Sequence, residues 1–88
     1  MTLYVGIDLH SNNSYVALSN EEDKTVYQKR LPNDADTILK ELAPHRDHIE
    51  GIVVESTYNW YWLVDALQEA NYKVHLANTT AHGCPIKN

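Results

Sequence analysis

Leu3, Val5 and Ile7 alternate with Tyr4 and Gly6, the two-residue period of a strand that buries one face. The strand so predicted runs from Thr2 to Asp8. Asp8-Leu9-His10-Ser11-Asn12-Asn13 follows as a turn, rich in side chains that bond their own backbone. Ser14 to Ser19 reads as a second strand, with Tyr15 and Ala17 on one face and Val16 and Leu18 on the other. Asn20-Glu21-Glu22-Asp23-Lys24 is a polar turn, and Thr25 to Leu31 a third strand. Such short connections predict an antiparallel meander.

The period then changes. Asn33 or Asp34 can cap a helix, with Asp34 and Asp36 placing negative charge in its first turn. Ala35, Ile38, Leu39 and Leu42 fall at the spacing of one buried helical stripe, and Pro44 stops or breaks that helix. Gly51 to Glu55 is a continuous apolar strand ending in an acid, the pattern expected of a strand covered on both faces. Ser56 or Thr57 can cap a second helix running to about Ala70, with Trp62, Leu63, Ala66, Leu67 and Ala70 as its core stripe. Asn71 is a left-handed stop, and Lys73 to Ala77 a fifth strand. The order is βββαβαβ, an α/β mixed sheet. Right-handed crossovers place the fourth strand beside the first, with the fifth outside it.

Composition narrows the picture. The 88 residues suffice for one small domain and too little for two. No apolar run approaches the length that spans a membrane, so no membrane partner is expected. The single Cys84 leaves no internal disulfide and, with no basic leader before the first strand, fits the cytoplasm. Seven basic against twelve acidic residues give a net charge of −5, which counts against tight nucleic-acid binding by this chain alone. Lys29-Arg30 is the lone adjacent basic pair.

Strand one ends in Asp8 and strand four in Glu55. Parallel neighbours lie about 4.8 Å apart, so carboxylates at their carboxyl ends can share a cation. The apolar run before each acid draws its backbone towards a low-dielectric interior, where an unpaired acid is costly. From spacing alone the two acids serve equally well as ordinary strand-end residues capping the turns that follow.

Tyr4-Val5-Gly6-Ile7-Asp8-Leu9-His10-Ser11 followed by Ser14-Tyr15-Val16-Ala17-Leu18 resembles the start of the DEDD-type insertion-sequence transposases. That group includes the Piv-like DNA invertases, and its nuclease domain resembles RuvC. Val53-Val54-Glu55-Ser56-Thr57 is similar to the family's second acidic motif, and His75-Leu76-Ala77-Asn78 to the strand and Asn before the remaining two acids. The resemblance implies a ribonuclease-H-like fold whose acids, in the order Asp, Glu, Asp, Asp, bind Mg²⁺ or Mn²⁺ for DNA strand cleavage and exchange. Asp8 and Glu55 match the first two, as catalytic and metal-binding residues. The other two, on the last catalytic helix, and a catalytic serine in a C-terminal region would lie beyond Asn88. Residues 1–88 are thus expected to form a single partial domain, inactive alone, within a transposase or site-specific recombinase. The implied partner is DNA, and the resemblance also implies a guide RNA for choosing DNA sites.

Other residues have competing readings. His10 can reach a metal or a phosphate, or be a solvated turn histidine. Ser11, Asn12 and Asn13 can bond a nucleic-acid backbone or simply form the turn. Tyr58, Trp60, Tyr61 and Trp62 can stack on bases, mark a partner interface or, in the case of Trp62, fill the core. His82-Gly83-Cys84 holds too few ligands for zinc, and His45 and His48 read as surface residues. Two other functions compete. An ATP-binding domain of the actin, sugar-kinase and chaperone group shares Gly6-Ile7-Asp8-Leu9, although His10-Ser11-Asn12-Asn13 replaces its glycine-bearing phosphate turn. A non-enzymatic assembly module is the third, with an uncovered sheet face and open edges favouring a homodimer or higher oligomer.

Overall fold

Strand β1 (Leu3–Leu9) buries Leu3, Val5, Ile7 and Leu9 and turns Tyr4, Gly6 and Asp8 outward, as its alternation predicts. In the computed structural model, which describes residues 2–56 and 59–77, it is the middle strand of a five-stranded sheet. Strands β2 (Asn13–Ser19) and β3 (Thr25–Pro32) complete the antiparallel meander, and β4 (Ile49–Glu55) and β5 (Val74–Ala77) lie parallel on the other side. The order β3-β2-β1-β4-β5 is the one expected, with β4 beside β1 and β5 outside it.

Helices α1 (Ala35–Leu42) and α2 (Tyr61–Glu69) supply Ile38, Leu42, Leu63 and Leu67 to one core with Val16, Leu18, Ile52 and Val54. All eight are fully buried. Asp34 caps α1, its Oδ2 accepting from the Thr37 amide at 3.0 Å and the Thr37 hydroxyl at 2.7 Å. Pro44 ends the α-helical geometry, and the chain continues as a 3₁₀ helix over Ala43–His48. Asn71 takes the left-handed conformation, φ 73°, and stops α2.

Two expectations are corrected. Among the described residues β4 is covered on one face only: Val53 is 41% exposed, because both helices pack on the side of Ile52 and Val54. An apolar run reports high β-propensity, but the number of layers depends on what else packs there. The second helix does not start at Ser56. It begins at Tyr61 behind Trp60, with no side-chain cap, while Ser56 is buried at the end of β4. The register that seats Leu63 and Leu67 over the sheet sets that start; Thr57 lies outside the described residues.

Candidate active site

The register of the sheet decides which side chains meet. β1 pairs with β4 so that Asp8 stands opposite Glu55, and with β2 so that Asp8 stands opposite Tyr15. All three point to the face that the helices leave uncovered. The two acids therefore sit on one face, at the carboxyl ends of adjacent parallel strands, about 4.8 Å apart by strand spacing.

A hairpin fixes the chain beyond Asp8. The His10 amide donates to the Asn13 carbonyl at 2.9 Å. Asn33, just after β3, donates from Nδ2 to the His10 carbonyl at 2.7 Å and accepts at Oδ1 from the buried Ser14 hydroxyl at 2.5 Å. One amide side chain thus ties the Asp8 turn to the far edge of the sheet. His10 Nε2 lies 3.3 Å from Asp8 Oδ2, which settles the orientation of this histidine: it faces the acid.

The interior placement expected for the acids does not hold. The Asp8 side chain is 53% exposed and Glu55 is likewise open to solvent, because the even positions of β1 face away from the core. Gly6 and Ala17, cross-strand partners, floor a hollow of about 330 Å³ bordered by Tyr15, Val53, Asp8 and Glu55. A Cβ at Gly6 would meet nothing within 4 Å, so the floor is open. A second hollow of about 450 Å³ lies behind the turn, between His10, Ser11, Asn33, Asn59 and Trp62.

Among the described residues, no three His, Cys, Asp or Glu side chains gather closely enough to hold a metal by themselves. Asn78, His82 and Cys84 lie outside the described residues, as does Tyr58. Trp62 packs against the core and donates its indole N–H to the Asn59 carbonyl at 2.9 Å. Tyr61 is 63% exposed, its ring 4.3 Å from that of Trp60. The sequence reading missed Tyr15 and Asn33 as neighbours of the acids. The alternation in β2 already placed Tyr15 on the face opposite Val16, but only the register sets it beside Asp8.

The model of the DEDD transposase family of IS110 type, described as a transposase, matches residues 5–82. No curated protein matches the chain. Among solved structures, T. thermophilus RuvC in complex with a Holliday junction substrate superposes with a TM-score of 0.65 at 16% identity, over 89% of this chain and 65% of that one. A ROK family protein from Streptococcus pneumoniae in complex with sucrose gives 0.55 at 18%, over 88% and 34%. The Aquifex aeolicus Ppx/GppA phosphatase gives 0.50 at 10%, over 90% and 36%. At such identities these likenesses establish the fold alone, and the chain spans less than two thirds of each of these proteins. With a ribonuclease-H-like sheet and a family match running through most of its length, the chain belongs to the DEDD transposases.

Proposed function

We propose that the chain contributes Asp8 and Glu55 to the metal-dependent nuclease centre of a DNA transposase that cleaves and rejoins DNA strands. The observation that carries this is the pairing of Asp8 with Glu55 at the carboxyl ends of neighbouring parallel strands, both on the uncovered face. Open α/β sheets bind ligands at that end.

Ionised carboxylates offer only oxygen acceptors, and a pair of them with solvent access suits Mg²⁺ or Mn²⁺. Such ions bind one or two carboxylates, keep several waters and take further oxygens from phosphate. Bound there, the ion would supply charge stabilisation to the reacting phosphoryl oxygens. Asp8 and Glu55 would hold it, and the hairpin clamped by Asn33 keeps Asp8 in place. His10, on the outer side of Asp8, restrains that carboxylate. The isolated chain brings two of the family's four acids and is catalytically inactive in this reading. DNA is the partner; a guide RNA, self-association and a cytoplasmic setting belong to the whole protein.

Titration of the labelled chain with Mn²⁺ should broaden the Asp8 and Glu55 amide signals together, and Asp8→Asn should remove the effect at Glu55. Broadening that bypasses either residue refutes the site. Mg²⁺-dependent nicking of plasmid DNA by the chain, lost in Asp8→Ala, would refute its inactivity.

The likeness to the ROK protein and the phosphatase gives the ATP-binding reading the same fold, but the turn after β1 argues against it. Among the described residues only Asp23 and Asn71 are non-glycine residues with positive φ. Residues 10–13 thus lack the left-handed backbone by which a glycine-bearing turn wraps a phosphate.

A further inference from the structure

We infer that Asn33 is a positioning residue for the Asp8 carboxylate and that it works through the donor half of its amide, so that aspartate cannot replace it; the inference rests on the proposed function. A continuous path of polar contacts runs from the core to that acid. The fully buried Ser14 hydroxyl donates to Asn33 Oδ1 at 2.5 Å, and Asn33 Nδ2 donates to the His10 carbonyl at 2.7 Å. The ring of the same His10 places Nε2 3.3 Å from Asp8 Oδ2. Ser14 is thus the buried end of the path, and the half-exposed Asp8 its open end.

The chemistry of each group fixes the direction of the path. A peptide carbonyl only accepts, so the Asn33 atom that meets the His10 carbonyl is Nδ2, and Oδ1 is left for the Ser14 hydroxyl. An aspartate at this position would keep the acceptor for Ser14 and set a second oxygen against the His10 carbonyl. The root of the side chain is equally fixed. Asn33 stands between Pro32, the last residue of β3, and Asp34, the cap of α1, and the Asp34 amide donates to the Pro32 carbonyl at 2.8 Å. Helix α1 is in turn anchored in the core by Ile38 and Leu42. The bond from the His10 amide to the Asn13 carbonyl closes the hairpin on itself, and Asn33 adds the tie between that hairpin and the start of α1. Groups that hold a metal-binding carboxylate from outside orient it, and losing one costs about 10–100-fold in metal affinity.

The test is a Mn²⁺ titration of the whole labelled chain, read at the Asp8 and Glu55 signals, in Asn33→Asp, Asn33→Ala and Ser14→Ala, each with its urea midpoint. Asn33→Asp should raise the Mn²⁺ concentration for half-maximal broadening about tenfold, although the charge it adds would by itself attract the cation. Asn33→Ala loses the same donor without adding charge and should do likewise. Ser14→Ala spares the donor; it should lower the urea midpoint and leave the Mn²⁺ response nearly unchanged. A Mn²⁺ response that follows the urea midpoint across all three variants would overturn the proposal, since Asn33 would then act only as a contact of the fold. So would tighter Mn²⁺ binding in Asn33→Asp. A measurement without metal separates this inference from the metal site. The Asp8 side-chain carboxyl carbon and the His10 ring signals should move in both Asn33 variants and stay in place in Ser14→Ala. If they move and the unaltered chain shows no Mn²⁺ effect at Asp8 and Glu55, the positioning of Asp8 stands and the metal site fails. If they do not move, the positioning fails whatever the metal does.

Discussion

The two faces of the sheet are built from the same strands and obey different rules. The helix-covered face is apolar almost throughout: Val5, Ile7, Val16, Leu18, Ile52 and Val54 are buried in one cluster. The uncovered face carries Tyr4, Gly6, Asp8, Tyr15, Ala17, Arg30, Val53, Glu55 and His75, a mixture no core would accept. Alternate positions of β1 thus serve the core and, in the function proposed above, the metal site separately. A substitution on one side of a residue pair as close as Ile7 and Asp8 should leave the other task alone.

The widest test of that separation uses these neighbours. Ile7→Ala removes a side chain only 1% exposed and should cost about 2–5 kcal/mol in urea unfolding. Asp8→Asn breaks only a half-exposed pair with His10 and should change stability by less than about 1 kcal/mol while abolishing Mn²⁺ broadening. Similar stability losses in both would show that the faces are not independent.

Asn33 joins the faces, since it holds both the buried Ser14 hydroxyl and the turn after Asp8. Asn33→Ala leaves the Ser14 hydroxyl without its acceptor and should cost about 1–3 kcal/mol. It should also loosen residues 10–13, read as faster amide exchange there. Unchanged exchange would mean that the hairpin holds itself.

The smallest effect concerns the covered side's polar margin. The Tyr27 hydroxyl donates to Glu41, with Lys29 alongside. That hydrogen bond, aided by Lys29, holds the Glu41 carboxyl below its ordinary range, against a desolvation that would raise it. The same bond, with burial and the Glu41 charge, pushes the Tyr27 phenol up to about 12. Glu41 therefore adds stability above the ordinary glutamate range, lost as pH falls through its lowered folded value. Tyr27 adds stability below the ordinary phenol value, lost as pH rises through about 12. In Tyr27→Phe the urea midpoint should fall less steeply on the acid side; an identical acid limb would remove Tyr27 as the cause.

Much of the fold was legible because periodicity is local. Leu3, Val5 and Ile7 state a half-buried strand, Ile38 and Leu42 a helical stripe, and the connection lengths set the strand order. Both acids were legible as strand ends, and the family motif around them supplied their expected role. The start of α2 was not, because Ser56 has the chemistry of a cap but Leu63 and Leu67 decide where the helix packs.

By itself the sequence determined which residues alternate, where each strand turns, and that Asp8 and Glu55 end strands that the crossover rule makes neighbours. Only the tertiary structure decided that Asp8 stands opposite both Glu55 and Tyr15, and that the two described helices pack on one side of β4. The reason is that register is a non-local quantity. A slip of one residue sends every side chain of a strand to the other face, and neither the alternation within β1 nor that within β4 says which residue of one will stand opposite which of the other.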